Sequence, residues 1–334
     1  MYRIAVDVMG GDNAPLEIVK GCIMALREHE DIALILCGDN DAVSKIIKEQ
    51  GYSGDRIEIR HAPDVLSMND AAEAIRSRPD SSLAVAFSAV SSGDAGAIIT
   101  AGSTGGAMSG AILKLRRIKG IHRPALAPVL PTMKSPVMLI DCGANADCKP
   151  QYLPQFAIMG SAYMNKVMGV KEPRVALLNI GTEEGKGNEL MREAYGLIKQ
   201  APVNFVGNIE GRDIPSGDYD VVVADGFSGN VALKMYEGAA LAVTKMLKQE
   251  LIGSFRTKIG ALIVKPALAR FKKQMDYSEH GGALLLGVDG GVIKSHGSSG
   301  AKAILKSVEQ ARGFIAGGVV ETIKAAISDA LIAE

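Results

Sequence analysis

The chain has 334 residues, 47% hydrophobic and 22% charged, enough for one large α/β domain or two smaller ones with a good core. Lys plus Arg and Asp plus Glu are equal at 37 each, so no global basic field argues for nucleic acid, and 4% aromatics without Trp argue against base stacking. Cys22, Cys37, Cys142 and Cys148 form no CxxC pair and have no His cluster beside them. They read as reduced thiols of a cytoplasmic protein, not as a disulfide framework or a metal site.

Met1 to Val6 reads as a first strand and not as a leader. Further strands are expected at Ala33–Cys37, Arg56–Arg60, Ala97–Thr100, Ala125–Val129, Val137–Asp141, Val175–Asn179, Asn204–Val206 and Val221–Ala224. Helix-length segments alternate with them, the rhythm of a three-layer αβα sandwich with a largely parallel sheet and ligands beyond the carboxyl ends of its strands. Ala95 to Leu113 is uncharged and long enough to mimic a membrane span, but its glycines, Ser103, Thr104 and Ser109 suit a strand, a loop and a helix better.

No linker divides the chain, so residues 1–334 read as a single domain. Within it, 233–277 reads as a protruding helical hairpin interrupted near Lys265-Pro266. Val243, Leu247, Leu251, Phe255 and Ile259 form its apolar stripe, and Ile259 to Val264 its tip. An apolar tip flanked by Lys258 and Lys265 suits a dimer contact or a membrane-touching element. A hairpin packed on its own domain is the plainer alternative.

The 38 glycines cluster in loops between the apolar runs. In Asp7-Val-Met-Gly-Gly-Asp-Asn-Ala-Pro15, Gly10 and Gly11 permit a turn whose amides face an anion, while Asp7 and Asp12 orient donors. A glycine turn with helix-capping acids explains it equally. In Thr100-Ala-Gly-Ser-Thr-Gly-Gly-Ala107, Gly102, Ser103, Thr104 and Gly105 supply small residues and hydroxyls at a helix start. The Walker lysine and the dinucleotide glycine spacing are both absent.

Asp141-Cys-Gly-Ala-Asn-Ala-Asp-Cys-Lys-Pro150 crowds Asp141, Asn145, Asp147 and Lys149 into one turn, where ordinary turn chemistry is the competing reading. Thr182, Glu183, Lys186 and Asn188 share the next glycine-rich loop, with Lys186 the preferred phosphate-facing cation. Asp225-Gly-Phe-Ser-Gly-Asn230 lacks nucleophile-elbow spacing, so Ser228 is not assigned as a nucleophile. His296, in Lys294-Ser-His-Gly-Ser-Ser299, is the one histidine placed at the site; a structural hydrogen bond competes with that role. Together these loops suit an oxyanion or phosphate.

In this order the motifs resemble the bacterial phosphate acyltransferases that use acyl carrier protein. D-V-M-G-G-D-N-A-P, A-G-S-T-G and R-I-K-G-I-H-R-P-A-L-A-P are followed by D-C-G-A-N-A-D-C-K-P and N-I-G-T-E-E-G-K-G-N-E. A-D-G-F-S-G-N, D-Y-S-E-H-G-G-A-L-L-L-G and K-S-H-G-S-S complete a match from Met1 to about Ala330. Val8 stands where Ala is common in the family, and Asn13 where His is frequent.

The resemblance implies a fold related to isopropylmalate dehydrogenases and phosphotransacetylases, a homodimer, and transfer of a long fatty acyl group from acyl carrier protein to inorganic phosphate. It implies no cofactor. It also implies peripheral contact with an anionic membrane and a downstream glycerol-phosphate acyltransferase that takes the product. On this view phosphate lies among Gly102–Gly105, Lys186 and Asn188, with Asn145, Asn230 or His296 serving the oxyanion. The acidic carrier needs a basic face, either Arg116, Arg117, Lys119 and Arg123 or Lys265, Arg270, Lys272 and Lys273, the second of which equally suits lipid. The rival readings are a phosphotransacetylase of short acyl-CoA, a decarboxylating NAD-dependent dehydrogenase, and a lipid-surface scaffold without turnover.

Overall fold

A computed structural model describes residues 1–67, 69–275 and 277–332. Strand and helix alternate from the start: β1 (Tyr2–Asp7), α1 (Leu16–Glu28), β2 (Ile32–Gly38), α2 (Asn40–Glu49) and β3 (Ile57–His61). α3 (Ala74–Ser77) and α4 (Ser82–Ser91) precede β4 (Ala97–Thr100) and α5 (Thr104–Gly110), which runs into a π-helical turn at Ala111–Leu115. The uncharged stretch is therefore strand, loop and helix. No helix among the described residues is long and apolar enough to cross a membrane.

Next come β5 (Ala125–Ala127), β6 (Val129–Leu130), β7 (Val137–Ile140), α6 (Tyr152–Lys166), β8 (Arg174–Asn179) and α7 (Glu189–Gln200). β9 (Asn204–Glu210) and β10 (Val221–Val223) lead to two long helices, α8 (Gly226–Ile252) and α9 (Phe255–Met275). The chain closes with β11 (Ala283–Leu286), β12 (Gly291–Lys294), α10 (Ala301–Ala316) and α11 (Val319–Ile332).

The α/β class with largely parallel strands is as expected, and the strands are shared between two sheets. One has seven strands in the order β3-β2-β1-β4-β12-β11-β5, the other five in the order β6-β7-β10-β8-β9. Pro128 explains the division. It offers no N–H to a ladder, so the expected strand Ala125–Val129 breaks there. One half pairs antiparallel with β11 and the other with β7. β11 and β12 are not among the strands expected from the sequence.

A common apolar layer joins the two sheets. Ile4, Val6 and Ile99 of the first share one buried cluster with Val175, Leu177 and Val221 of the second, and α1, α6, α10 and α11 contribute to it. Phe87 of α4 fills the opposite face of the first sheet, and Leu233 of α8 that of the second. Each sheet thus lies between helical layers, and its parallel strands end along one edge.

The hairpin is present but its turn is displaced. α8 runs unbroken to Ile252, and the reversal falls at Gly253-Ser254, where Ser254 Oγ accepts from the Thr257 N–H at 3.2 Å. Pro266 lies inside α9 and does not end it, so Ile259–Val264 is a flank of the second helix and not the tip. Gly253 and Ser254 are the better turn residues, and the every-fourth-residue stripe from Val243 to Ile259 is divided between two helices. Only Gly226, Gly229 and Leu233 of α8 are buried. Asp276 and the side chains of Lys272 and Lys273 lie outside the described residues.

Candidate active site

The first group of site residues sits where parallel strands β1, β4 and β12 end. Asp7, the last residue of β1, is buried, and its Oδ2 accepts from Thr100 Oγ1 at 2.7 Å. Thr100 Oγ1 in turn accepts from the Gly102 N–H at 3.0 Å. Asp7 Oδ1 has no partner. Burial pushes the Asp7 carboxyl above the usual carboxylate range, although the Ser82 and Thr100 hydroxyls pull the other way.

Gly10 and Gly11 are needed for space as well as for the turn. A Cβ on Gly10 would lie 2.5 Å from Asp7 Oδ2 and 2.8 Å from the Gly102 nitrogen. Gly11 has φ +99°, and a Cβ there would meet Ala101 and the Gly297 carbonyl at 2.9 Å. The Asp12 N–H donates to Gly297 O at 2.8 Å, while Asn13 Nδ2 donates to Ser298 O and Ser299 O at 3.0 and 3.3 Å. Asn13, one of the two departures from the common family pattern, thus clasps the His296 loop. His296 is exposed, with Nδ1 2.8 Å from Ser298 Oγ. Ser103 caps α5 through the Gly106 N–H at 3.3 Å, and Thr104 is exposed beside it.

Lys294 ends β12 against this group. Its Nζ donates to Ser295 O at 2.6 Å, and burial pulls its pKa down to about 8, opposed by the nearby Asp7 and Asp12 carboxylates. Sequence reasoning did not name it as a site residue. Its position directly before the Ser-His-Gly-Ser-Ser loop was visible, but its burial was not.

A second group gathers where β7, β8 and β10 end on the other sheet. Asp141 is fully buried and accepts from the N–H groups of Leu126, Ala144 and Asn145 at 2.8, 3.1 and 2.7 Å. Asn145 Nδ2 donates both to Asp141 Oδ2 at 2.9 Å and to Pro124 O at 2.8 Å. Both amide hydrogens of Asn145 are therefore used within the loop, which leaves none for a substrate oxyanion. Burial raises the Asp141 pKa although four hydrogen bonds oppose it.

Asp225 caps α8 by accepting from the N–H groups of Phe227 and Ser228, and the Gly226 N–H donates to Asn145 O at 2.9 Å. A Cβ on Gly229 would collide with the Asp141 carbonyl oxygen. Asn230 is exposed, its amide 3.6 Å from where a Gly143 Cβ would stand. Lys149 and Asp147 are exposed at the end of the same loop. Cys142 is buried against Leu139 O, and burial holds its thiol well above its ordinary pKa.

The loop after β8 completes this edge. Asn188 caps α7 through the Met191 N–H at 3.0 Å, and the Glu183 carbonyl accepts from Asn208 Nδ2 at 2.8 Å. Thr182 and Glu183 face solvent. Lys186 is half-exposed and 3.9 Å from Glu183 Oε1, so its ammonium is only loosely held. The expected residues thus fall into one group on each sheet. No hydrogen bond or ion pair among the described residues joins the two groups.

The family model described as a fatty acid synthesis protein matches residues 2–322. A phosphate acyltransferase of Clostridium novyi (strain NT) is 48% identical over 331 residues, which cover 99% of this chain and 100% of that one. The chain belongs to the phosphate acyltransferase family. The phosphate acyltransferase of Clostridium acetobutylicum is 52% identical over 309 residues, 92% of this chain and 93% of its own. The fold resembles that of the EutD phosphotransacetylase of Staphylococcus aureus, with a TM-score of 0.58 at 15% identity over 97% of this chain and 94% of that chain. It also resembles a putative 4-hydroxythreonine-4-phosphate dehydrogenase of Salmonella typhimurium, with a TM-score of 0.53 at 14% identity over 94% and 99%.

The protein is an acyltransferase that moves an acyl group to phosphate. That chemistry asks little of side chains. Phosphate is already nucleophilic and an activated acyl donor is already electrophilic, so positioning and donors aimed at the developing oxyanion supply the rate. Ser228 fits no nucleophile role here, since the residues around it serve the cap made by Asp225.

Proposed function

We propose that the enzyme transfers a long fatty acyl group from acyl carrier protein to inorganic phosphate, and that its acyl-phosphate feeds phospholipid synthesis. A phosphate oxygen attacks the thioester carbonyl, the C–S bond breaks, and the carrier thiolate leaves with the proton given up by phosphate. A thiol pKa near ~8.5 makes that departure easy without an acid catalyst. The observation that carries the phosphate end of the reading is the Gly10–Gly11 turn, too tight for any Cβ and packed on Gly102, beside the half-buried Lys294. Lys186 on the opposite group is the second phosphate-facing cation, and the Asn230 amide and His296 are the donors available to the oxyanion.

The deciding assay is phosphate-dependent release of carrier thiol from palmitoyl-carrier, with the product trapped by hydroxylamine. Release with trapped hydroxamate supports the reading. A folded protein that acts only on short acyl-CoA would favour the phosphotransacetylase alternative. Lys186→Met is expected to raise the KM for phosphate about tenfold, the loss of one charge-assisted contact, and an unchanged KM removes Lys186 from the site.

The hairpin is the proposed homodimer and membrane element. Leu241, Met246, Leu262 and Ile263 are 65–76% exposed along its flanks, and Ile252 and Phe255 are 52% and 79% exposed around its turn. Burying two such turn residues in a lipid interface is worth about 3–6 kcal/mol at most. Ile252→Glu with Phe255→Glu is therefore expected to cut co-sedimentation with anionic vesicles at least tenfold. Equal sedimentation of variant and wild type would place membrane contact elsewhere.

A further inference from the structure

Between Asp94 and Asp141 the chain carries no acidic residue, yet it carries Lys114, Arg116, Arg117, Lys119, Arg123 and Lys134. In a protein whose charges cancel overall, that makes a strong local field. Lys134 is neutralised by Asp218, and Arg117 is tied down by donating to the carbonyls of Ile121 and His122. Arg116, Lys119 and Arg123 are exposed, and none forms an ion pair among the described residues. By contrast Arg3, Arg60, Arg78, Arg174, Arg212 and Arg312 each hold a carboxylate.

Two adjoining hollows of about 330 and 410 Å³ open in this patch and share Ile112 and Arg117. Pro124 and Tyr152 wall the first, with His122 stacked on Tyr152 at 5.8 Å between ring centroids. That hollow adjoins the site, because the Pro124 carbonyl is the acceptor for Asn145 Nδ2. The ledge carrying the cations is fixed. Arg116 is held at φ 65°, its carbonyl accepting from the Asp289 N–H at 3.1 Å, and the Ile118 N–H donates to Gly287 O at 3.0 Å. A non-glycine residue in that conformation persists only where its surroundings enforce it.

We infer that the ledge Arg116–Arg123 is the docking face for an acidic carrier protein, and that the hollow at Pro124 and Tyr152 admits the carrier's thioester arm toward the Asp141–Asn145 loop. The inference rests on the carrier-thioester reading above. Charge complementarity selects an acidic partner, and the hollows select one that delivers a slender chain rather than a flat surface. An anionic membrane would meet the large apolar side chains of the hairpin, whereas the exposed large apolar side chains nearest the ledge are Ile112 and Leu113, at 40% and 38%.

The test compares kcat/KM for palmitoyl-carrier with kcat/KM for palmitoyl-N-acetylcysteamine at saturating phosphate, in Lys119→Glu, Arg123→Glu and the double variant. Each reversal is expected to lower the ratio of carrier to small thioester about tenfold and the double variant about a hundredfold. The preference of the wild type for carrier should also shrink as salt is added. A folded double variant with an unchanged ratio overturns the docking face. So does lost vesicle binding at an unchanged ratio, which assigns the ledge to lipid. Wild-type protein that releases no carrier thiol overturns the carrier reading itself, a result distinct from either.

Discussion

Lys294→Met is expected to raise the KM for phosphate at least tenfold while leaving the protein folded. The side chain ends β12 beside the Gly10–Gly11 turn, and among the described residues it makes a single hydrogen bond, to Ser295 O. A charge-assisted contact to a phosphate oxygen in this half-buried place is worth ~1.5–3 kcal/mol, a factor of about 12 to 160. Met has similar length and no charge to desolvate, so the fold does not suffer. The pH dependence supplies the second readout. With its pKa lowered to about 8, Lys294 is mostly charged at pH 7 and mostly neutral at pH 9. Phosphate affinity in the wild type should therefore fall as pH rises through about 8, and that alkaline limb should be missing in the variant. An unchanged KM and an unchanged alkaline limb would leave Lys294 a structural residue.

Much of this was legible in the sequence, and the misses share a physical cause. Apolar runs with Asp or Gly at their end or close behind marked β1, β4, β7 and β10, and the loops after them carry most of the residues named for the site. Burial and partnership were not legible. Asp141 and Asn145 looked like a polar constellation open to substrate, but the loop consumes their hydrogen-bonding capacity internally. Lys294 stands in the sequence only as the residue that opens the His296 loop. The sequence pattern puts the hairpin's interruption near Lys265-Pro266 and its tip at Ile259–Val264, yet α9 accommodates Pro266 within a solvent-exposed helix. Pro128 was the informative proline, and it acts by dividing one apolar run between two sheets.

Asp141→Ala is expected to destabilise the protein by about 3–5 kcal/mol, because it leaves the donors of one loop without an acceptor. The carboxylate holds three backbone N–H groups and the Asn145 amide, and is itself fully buried. Water can replace it for Ala144 and Asn145 in the loop, but less readily for the Leu126 N–H, which lies inside strand β5. Loss of about 2 °C in Tm per kcal/mol, as for other large domains, predicts a fall of roughly 6–10 °C. Asp141→Asn should fall between wild type and Ala, since it keeps one carbonyl oxygen and turns an NH₂ toward donors. Activity should follow the same order. Asn145 O holds the Gly226 N–H at the start of α8, so a loosened loop carries Asn230 with it. An Asp141→Ala protein with wild-type Tm and no turnover would reverse the assignment. The carboxylate would then act on substrate, its burial raising its proton affinity against the opposing hydrogen bonds of the loop.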